Sequence, residues 1–289
     1  MPHARLTDRA VLVLRGEESE HFLQNLVTAD IPSIGERTAR PSALLTPQGK
    51  ILFDFLVSRI EGGFRLDCVA SIRDALARRL AIYKLRAKVA IEPSDDPVFA
   101  LWDLSEPADV IIADERFGQA GVGRAYDAGS LPEAPEAEAG DYRALRLRAG
   151  ILEAETDFPQ TEMFPHDVLL DQNGGVSFRK GCYVGQEVVS RMQHRGTARR
   201  RAMLVVADRH LTEGAPLTSA GKPIGTLLAS AHGEGVAVVR IDKLAAALVR
   251  GEGACVDGVP VDLSIPPWAG YALPEPAPAG GEAGDGSDS

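Results

Sequence analysis

Cys182 is the residue in this sequence whose surroundings best suit chemistry. It lies in the run Arg-Lys-Gly-Cys-Tyr-Val-Gly-Gln-Glu, residues 179–187, with two cations before it and a glycine on either side. The glycines favour a tight turn, and the spacing of Val188 and Met192 predicts a helix from Gln186 onward. A thiol just before a helix N-terminus and close to cations is stabilised as the thiolate, which is the reactive form.

A simpler interpretation of this cysteine stays open, and any role in holding a cluster is limited. A lone cysteine is more often a small buried apolar residue than a reactive thiol. A conventional iron–sulfur cluster takes four cysteine ligands or near equivalents, so Cys182 is at most one transient cluster ligand. The other two cysteines, Cys68 and Cys255, stand far away in no metal-binding spacing and are expected in the core. We therefore expect no resident metal site.

Asp54 is a second candidate because it interrupts an apolar strand. The run 50–60 is apolar at alternate positions on both of its faces, which predicts a strand that is buried on both sides. A buried carboxylate is strongly destabilising unless it is paired or hydrogen-bonded. Asp54 is therefore either a structural residue held by backbone donors or a group kept for a ligand.

The net charge of −10 is unevenly distributed along the 289 residues. Residues 127–140 and 274–289 contain acids and no Lys or Arg, so the rest of the chain is nearly neutral. Residues 179–201, in contrast, form a basic cluster that suits an anionic ligand or partner. RNA is one such partner, but Tyr183 is the one aromatic residue in the cluster, so a base-stacking platform is unsupported.

The elements that must position these residues fall into five segments. Residues 1–126 form an N-terminal region, 127–140 a flexible acidic connector, and 141–200 a middle segment. Within the middle segment, the alternation of apolar and basic residues over 143–148 predicts a half-exposed strand. Residues 201–273 read as short strands with glycine turns, typical of a small antiparallel barrel, and 274–289 as a disordered tail.

The compartment follows from what the sequence lacks. The N-terminus carries no apolar signal-peptide region, and no apolar run approaches the roughly 20 residues that span a bilayer. An odd number of scattered cysteines is typical of a reducing compartment. We therefore expect a soluble cytoplasmic protein with no membrane contact.

The motif around Cys182 resembles a known family. Lys180 to Glu187 is similar to the K-G-C-Y-x-G-Q-E signature of the folate-binding YgfZ proteins, which share the fold of the glycine-cleavage T-protein. Three further segments, 22–30, 45–54 and 83–89, resemble other parts of this family. The resemblance covers most of the chain and leaves out the connector and the tail.

The resemblance implies an α+β fold with a central folate cavity and a small C-terminal β-barrel. It implies tetrahydrofolate as the cofactor, with Asp54 facing a folate nitrogen. Asp167, in Phe-Pro-His-Asp, stands where T-proteins have a pterin-binding glutamate, and it is shorter by one methylene. Tyr183 and Arg191 complete the expected folate contacts. The residues expected to support the motif are Lys180, Gly181, Gly185, Gln186 and Glu187.

The function implied is that of an accessory factor for assembly or repair of 4Fe–4S proteins. Its partners would be a folate derivative and iron–sulfur assembly or client proteins, with Cys182 and Asp54 carrying the chemistry. A folate-dependent aminomethyltransferase is the first alternative, mildly favoured by Asp54. A tRNA- or RNA-associated module is the second. Whether the chain is an enzyme is left open by its sequence.

Overall fold

The computed structural model describes residues 1–105, 110–118, 121–131 and 135–275. Most of the tail that we expected to be disordered, residues 276–289, lies outside the described residues, as do residues 132–134 of the connector. Within the described residues, no helix is long and apolar enough to cross a membrane.

A nine-stranded sheet forms the larger part of the protein. Its order is β1-β7-β9-β8-β3-β4-β5-β2-β6, and all neighbours are antiparallel except the pair β3 and β8. The strands are β1 (His3–Arg5), β2 (Arg9–Arg15), β3 (Thr38–Leu45), β4 (Ile51–Ile60), β5 (Gly63–Val69), β6 (Ala90–Ser94), β7 (Phe99–Leu101), β8 (Ile112–Asp114) and β9 (Gly123–Ala125). The predicted strand around Asp54 is thus the long β4 near the middle of the sheet.

Five α-helices accompany the described strands, and one of them corrects the sequence prediction. They are α1 (Ser19–Gln24), α2 (Arg73–Lys84), α3 (Ala139–Arg148), α4 (Gln186–Arg195) and α5 (Ile241–Val249). Residues 143–148, predicted as a strand, belong to α3. The helix wins because Glu138 donates its backbone N–H to the Asp141 carboxylate at the N-terminus, and because Tyr142 and Arg146, four apart, are both buried.

A closed six-stranded barrel follows, as the sequence predicts. Its strands are β10 (Arg200–Val206), β11 (Pro216–Ser219), β12 (Lys222–Ala231), β13 (Glu234–Arg240), β14 (Ala254–Val256) and β15 (Val259–Ser264). The order β10-β13-β12-β11-β14-β15 closes because β15 also pairs with β10. Closure leaves no unpaired strand edge in this part of the chain.

The segment between α3 and α4 packs between the sheet and the barrel. It has no strand longer than an isolated bridge, Ala154 with Phe158. One apolar cluster joins Ile51 of the sheet, Leu169 and Tyr183 of the segment, and Val238 of the barrel. The middle segment and the start of α4 are therefore held in place by both larger units.

Candidate functional site

The three cysteines differ in their access to solvent. Cys182 is exposed, Cys255 is half-buried and Cys68 is buried, and none forms a disulfide. Burial raises the pKa of the Cys68 thiol to about 12, with Arg9 opposing that shift. Cys182 is therefore the thiol that a partner or small molecule can reach.

The loop that carries Cys182 is held against the β3–β4 turn through two glycines. Gly185 directly precedes α4 with a φ of 79°, in the left-handed region. A Cβ at Gly185 would lie 2.5 Å from the carbonyl oxygen of Thr46 and 3.1 Å from the Cα of Gly49. A Cβ at Gly49 would lie 2.9 Å from the Cβ of Val188. The close approach fixes where α4 begins, at Gln186, four residues after Cys182.

Gly185→Ala is therefore expected to lower the free energy of unfolding by about 2–3 kcal/mol. The substitution adds strain at a positive φ and a collision with the Thr46 carbonyl oxygen. Denaturant unfolding measures the loss. Gly181→Ala is the matched control, because a Cβ there meets no atom within 4 Å. Equal stability of the two variants would contradict the structural role of the glycine contact.

Lys180 ties the other side of the cysteine loop to the chain that follows α1. Its ammonium donates to the carbonyl oxygens of Val27 at 2.7 Å and Ala29 at 2.6 Å. It also lies 5.4 Å from the centre of the Tyr183 ring. Burial lowers the pKa of Lys180 to about 8, with Asp30 opposing that shift. The loop is thus fixed at both ends around an exposed thiol.

The remaining motif residues occupy the first turns of α4. Gln186 opens the helix and is half-buried. Glu187 and Arg191 form an ion pair four residues apart on the exposed face. Tyr183 is buried in the apolar cluster between sheet and barrel. The motif therefore shapes the loop and the helix start.

A small cavity lies beside Asp54, under the middle segment, with about 20 Å³ open to the centre of a water-sized sphere. Its apolar lining comes from both the sheet and the middle segment, namely Pro41, Ile51, Phe55, Leu56, Ile151, Leu152, Val168 and Leu170. Its polar groups are Arg9, Ser42, Asp54, Arg116 and Asn173. A mainly apolar cavity with a few convergent polar groups is typical of a small-molecule site.

Asp54 is the carboxylate with spare hydrogen-bonding capacity in this cavity. The backbone N–H of Ala154 donates to its Oδ2 at 3.1 Å. Its Oδ1 is buried and has no hydrogen-bond partner among the described residues. Burial, and secondarily the charge of Glu153, raise the pKa of Asp54 to about 6. The backbone contact agrees with the structural interpretation, and the unpartnered oxygen leaves the ligand role of Asp54 a prediction.

A network of buried ion pairs forms the charged wall of the cavity. Its members, each at most 8% exposed, are Arg9, Arg116, Arg124, Arg146, Asp67, Asp114, Glu153 and Asp157. Glu153 lies at the centre, 2.6 Å from Arg116 and 3.3 Å from Arg9. Arg9 reaches Asp67 at 2.7 Å and Arg116 reaches Asp114 at 2.8 Å. The network fixes the two arginines that face the cavity.

The electrostatics of Glu153 show how strongly this network is coupled. Burial by itself would raise the pKa of Glu153, but Arg9, Arg146 and Arg116 outweigh it and hold that pKa well below its usual range. Glu153 therefore stays ionised, and its charge keeps the neighbouring Asp54 closer to neutral. Asp54 and Glu153, two neighbouring buried carboxylates, thus have pKa values shifted in opposite directions.

Asp167 lies outside the residues that line the cavity. It is 2% exposed, accepts the backbone N–H of Phe164 at 3.1 Å and lies 3.8 Å from Arg200. Burial raises its pKa, with Arg200 opposing that shift. Tyr183 and Arg191 are also absent from the cavity lining. Of the expected folate contacts, the structure brings Asp54 to the cavity, and the other three stay predictions.

Sequence reasoning missed Arg9, Arg116 and Glu153. Arg9 and Asp67 are 58 residues apart and Arg116 and Glu153 are 37 apart, so no local spacing reveals these pairs, although Arg116 also meets the nearby Asp114. Arg146 did carry a usable signal, since helical spacing places it on the buried face below Tyr142. The strand prediction for 143–148 concealed that signal. Among the described residues, no cluster of three or more His, Cys, Asp or Glu has the arrangement of a metal site.

Comparisons with known proteins agree with this architecture. The barrel matches a family described as the CAF17 C-terminal beta-barrel domain over residues 199–271. A solved structure of the glycine cleavage system aminomethyltransferase T from Bartonella henselae has a TM-score of 0.66, at 16% identity, covering 91% of this chain and 84% of that chain. At this identity the likeness shows the fold alone, and it confirms the predicted T-protein-like α+β fold.

Relatives of higher identity have names that state a function. The human protein named iron-sulfur cluster assembly factor IBA57, mitochondrial, is 30% identical over 91% of this chain and 84% of its own length. The mouse protein of the same name is 30% identical over 83% of this chain and 78% of its own. A Pyricularia oryzae homologue is 28% identical over 86% of this chain and 74% of its own length.

These names contradict the expected cytoplasmic location, because all three relatives are named as mitochondrial proteins. The prediction was wrong because its reasoning was too coarse. Scattered cysteines are typical of a reducing compartment, but they do not distinguish one such compartment from another.

Proposed function

This chain belongs to the family of the IBA57 iron–sulfur cluster assembly factors, and we propose that it acts through the thiol of Cys182. Its partners would be components or clients of iron–sulfur assembly, including 4Fe–4S proteins. The observation that carries the proposal is the exposed Cys182 on a loop anchored by Lys180 on one side and by Gly185 on the other. An anchored loop holds a reactive thiol at a fixed position.

Cys182 would offer a single thiolate to a cluster or to a sulfur-containing group brought by a partner. The cluster is a substrate in this proposal, because one cysteine cannot hold it alone. The chain is open on the Gly181 side of the thiol, where a Cβ would meet nothing within 4 Å. A partner surface can therefore approach Cys182 without displacing the loop.

The cavity gives the narrower, YgfZ-type part of the proposal. The chemistry of the residues present fits the ring system of tetrahydrofolate, because Asp54 has a buried unpartnered oxygen and the surrounding lining is mostly apolar. The cavity holds about one water molecule, so the middle segment would have to move outward to admit the ring. Asp54 would accept a hydrogen bond from a ring N–H, and Arg9 and Arg116 would set the charge of the opposite wall. When bound, tetrahydrofolate would supply a nitrogen that can carry a one-carbon group.

Complementation tests the role of the thiol. In cells that lack this protein, wild type and Cys182→Ala are compared at equal abundance, with aconitase and radical-SAM enzyme activities as readouts. We expect Cys182→Ala to restore at least about tenfold less activity than wild type, because the thiolate is the metal ligand and nucleophile. Cys255→Ala is the matched control and should restore activity fully.

Each other outcome counts against a defined part of the proposal. Full restoration by Cys182→Ala would show that the thiol is dispensable and would move attention to Asp54. No restoration by wild type would remove the iron–sulfur role. Product formation from an aminomethylated lipoyl protein and tetrahydrofolate would identify an aminomethyltransferase instead.

A further inference from the structure

The C-terminal end of α2 presents an exposed surface that is both basic and apolar. Residues 78–88, which we call the α2 ridge, include two large aliphatic side chains in solvent: Ile82 is 64% exposed and Leu85 is 89% exposed. The exposed cations of the ridge are Arg78, Arg79, Arg86 and Lys88. Spacings of three and four residues place Arg78, Arg79 and Ile82 in one stripe along the exposed side of α2, and Leu85 and Arg86 follow directly after the helix.

The fold does not use this stripe. The opposite face of α2 carries Ile72, Leu76 and Leu80, which are buried in the core of the sheet. Arg78, Arg79 and Arg86 form no ion pair with a carboxylate in the part of the chain that the structure describes, and Lys88 reaches only the exposed Glu17, at 3.6 Å. Removing the stripe would therefore cost the core nothing.

Leu85 is held in an unfavourable backbone conformation as well. It ends α2 with φ 44° and ψ −104°, outside the regions that L-residues normally occupy. Glycine is the usual residue at such a helix end. A leucine here adds strain and buries almost nothing, so its contribution to folding does not explain its side chain. Strained backbone of this kind clusters at functional sites.

We propose that the α2 ridge docks an acidic protein partner whose surface has an apolar recess for Leu85 and Ile82. Carboxylates around that recess would pair with the unpaired arginines. Apolar anchors surrounded by charge complementarity are the usual form of a protein contact that combines affinity with specificity. The docking site goes beyond the proposed function, because it does not depend on Cys182.

The composition of the α2 ridge favours a protein over a membrane or RNA. A helix that binds lipid needs a continuous apolar face, and the apolar face of α2 is already buried in the core. Single-stranded RNA needs exposed aromatic rings, and Tyr83, the aromatic residue of the ridge, is half-buried and packs against that core.

The test uses the full chain and three probes. The first is a synthetic helical peptide with glutamates on one face and leucines on the other; the others are anionic phosphatidylglycerol vesicles and poly(U) RNA. We expect the peptide to bind more tightly than the vesicles or the RNA. Leu85→Gly or Arg79→Glu should each weaken peptide binding by about tenfold or more. Val249→Ala, which changes an aliphatic residue that is 70% exposed on α5, is the control and should bind like wild type.

Leu85→Gly keeps the test decisive because glycine accepts the backbone conformation at this position. Its unfolding temperature should equal or exceed that of wild type, so that weaker binding cannot be attributed to misfolding. Cys182→Ala should bind the peptide normally, which separates this proposal from the role of the thiol. The proposal would be overturned if Leu85→Gly bound the peptide like wild type, or if wild type bound vesicles or RNA more tightly than the peptide. It would also be overturned if wild type self-associated and Leu85→Gly abolished that self-association.

Discussion

Replacing Glu153 with glutamine is expected to lower the free energy of unfolding by about 3–5 kcal/mol near pH 7. Glu153 is 3% exposed and lies between Arg116, at 2.6 Å, and Arg9, at 3.3 Å. Glutamine has almost the same shape, so the change removes a charge and leaves the packing intact. The loss arises because the arginines then stay buried without their shared counter-charge.

Denaturant unfolding at several pH values measures this effect. The pKa of Glu153 is lowered in the folded state, so its stabilising contribution is complete above the usual carboxyl range and is lost as pH falls through the lowered value. The difference in the free energy of unfolding between wild type and Glu153→Gln should therefore become smaller in acid. Glu20→Gln is the control, because its ion pair with Arg59 is half-exposed, and it should cost less than about 1 kcal/mol. A similar loss in both variants would contradict a special role for the buried network.

Replacing Asp54 with asparagine is expected to have the opposite effect and raise the free energy of unfolding by about 2 kcal/mol near pH 7. Burial raises the pKa of Asp54 from 3.8 to about 6, so the ionised form is disfavoured in the folded protein. The penalty is fully present above the folded pKa and absent below 3.8. The stabilisation that asparagine gives should therefore decrease as the pH is lowered.

The same variant separates stability from ligand binding. If Oδ1 of Asp54 is kept for tetrahydrofolate, Asp54→Asn should bind it at least about tenfold more weakly in calorimetric titration, while the protein itself becomes more stable. Asp262→Asn, on an exposed strand position of the barrel, should alter neither quantity. A variant that binds tetrahydrofolate like wild type would remove Asp54 from the site, and a less stable variant would mean that the carboxylate is structural.

Both predictions concern the same wall of the cavity. Glu153 stays charged because several arginines surround it, whereas Asp54 has a single backbone donor and an unused oxygen. The network thus supports a rigid polar surface beside Asp54, which among the described residues is the one carboxylate with a buried oxygen that lacks a hydrogen bond. Incomplete satisfaction of a buried group is unfavourable for folding and favourable for a ligand that completes it.

Much of the site could be predicted from sequence because its signals are local. The glycines around Cys182, the apolar spacing that begins α4 and the oddity of Asp54 in an apolar strand all depend on neighbours within a few residues. The barrel was predictable for the same reason, since short strands and glycine turns follow one another along the chain. Local periodicity and turn chemistry are written directly into the order of residues.

The tertiary structure decided the rest. By pattern alone, residues 143–148 fit either a strand or a helix. They form helix α3 because its Tyr142 and Arg146 meet the ion network. Arg9 meets Asp67, and Lys180 meets the carbonyl oxygen of Val27, across separations of 58 and 153 residues. A charge can be buried only where a partner from elsewhere in the chain compensates it, so no local pattern reveals which charges will be buried. By itself the sequence determined the motif and the elements; the packing of the middle segment between sheet and barrel determined the charged cavity.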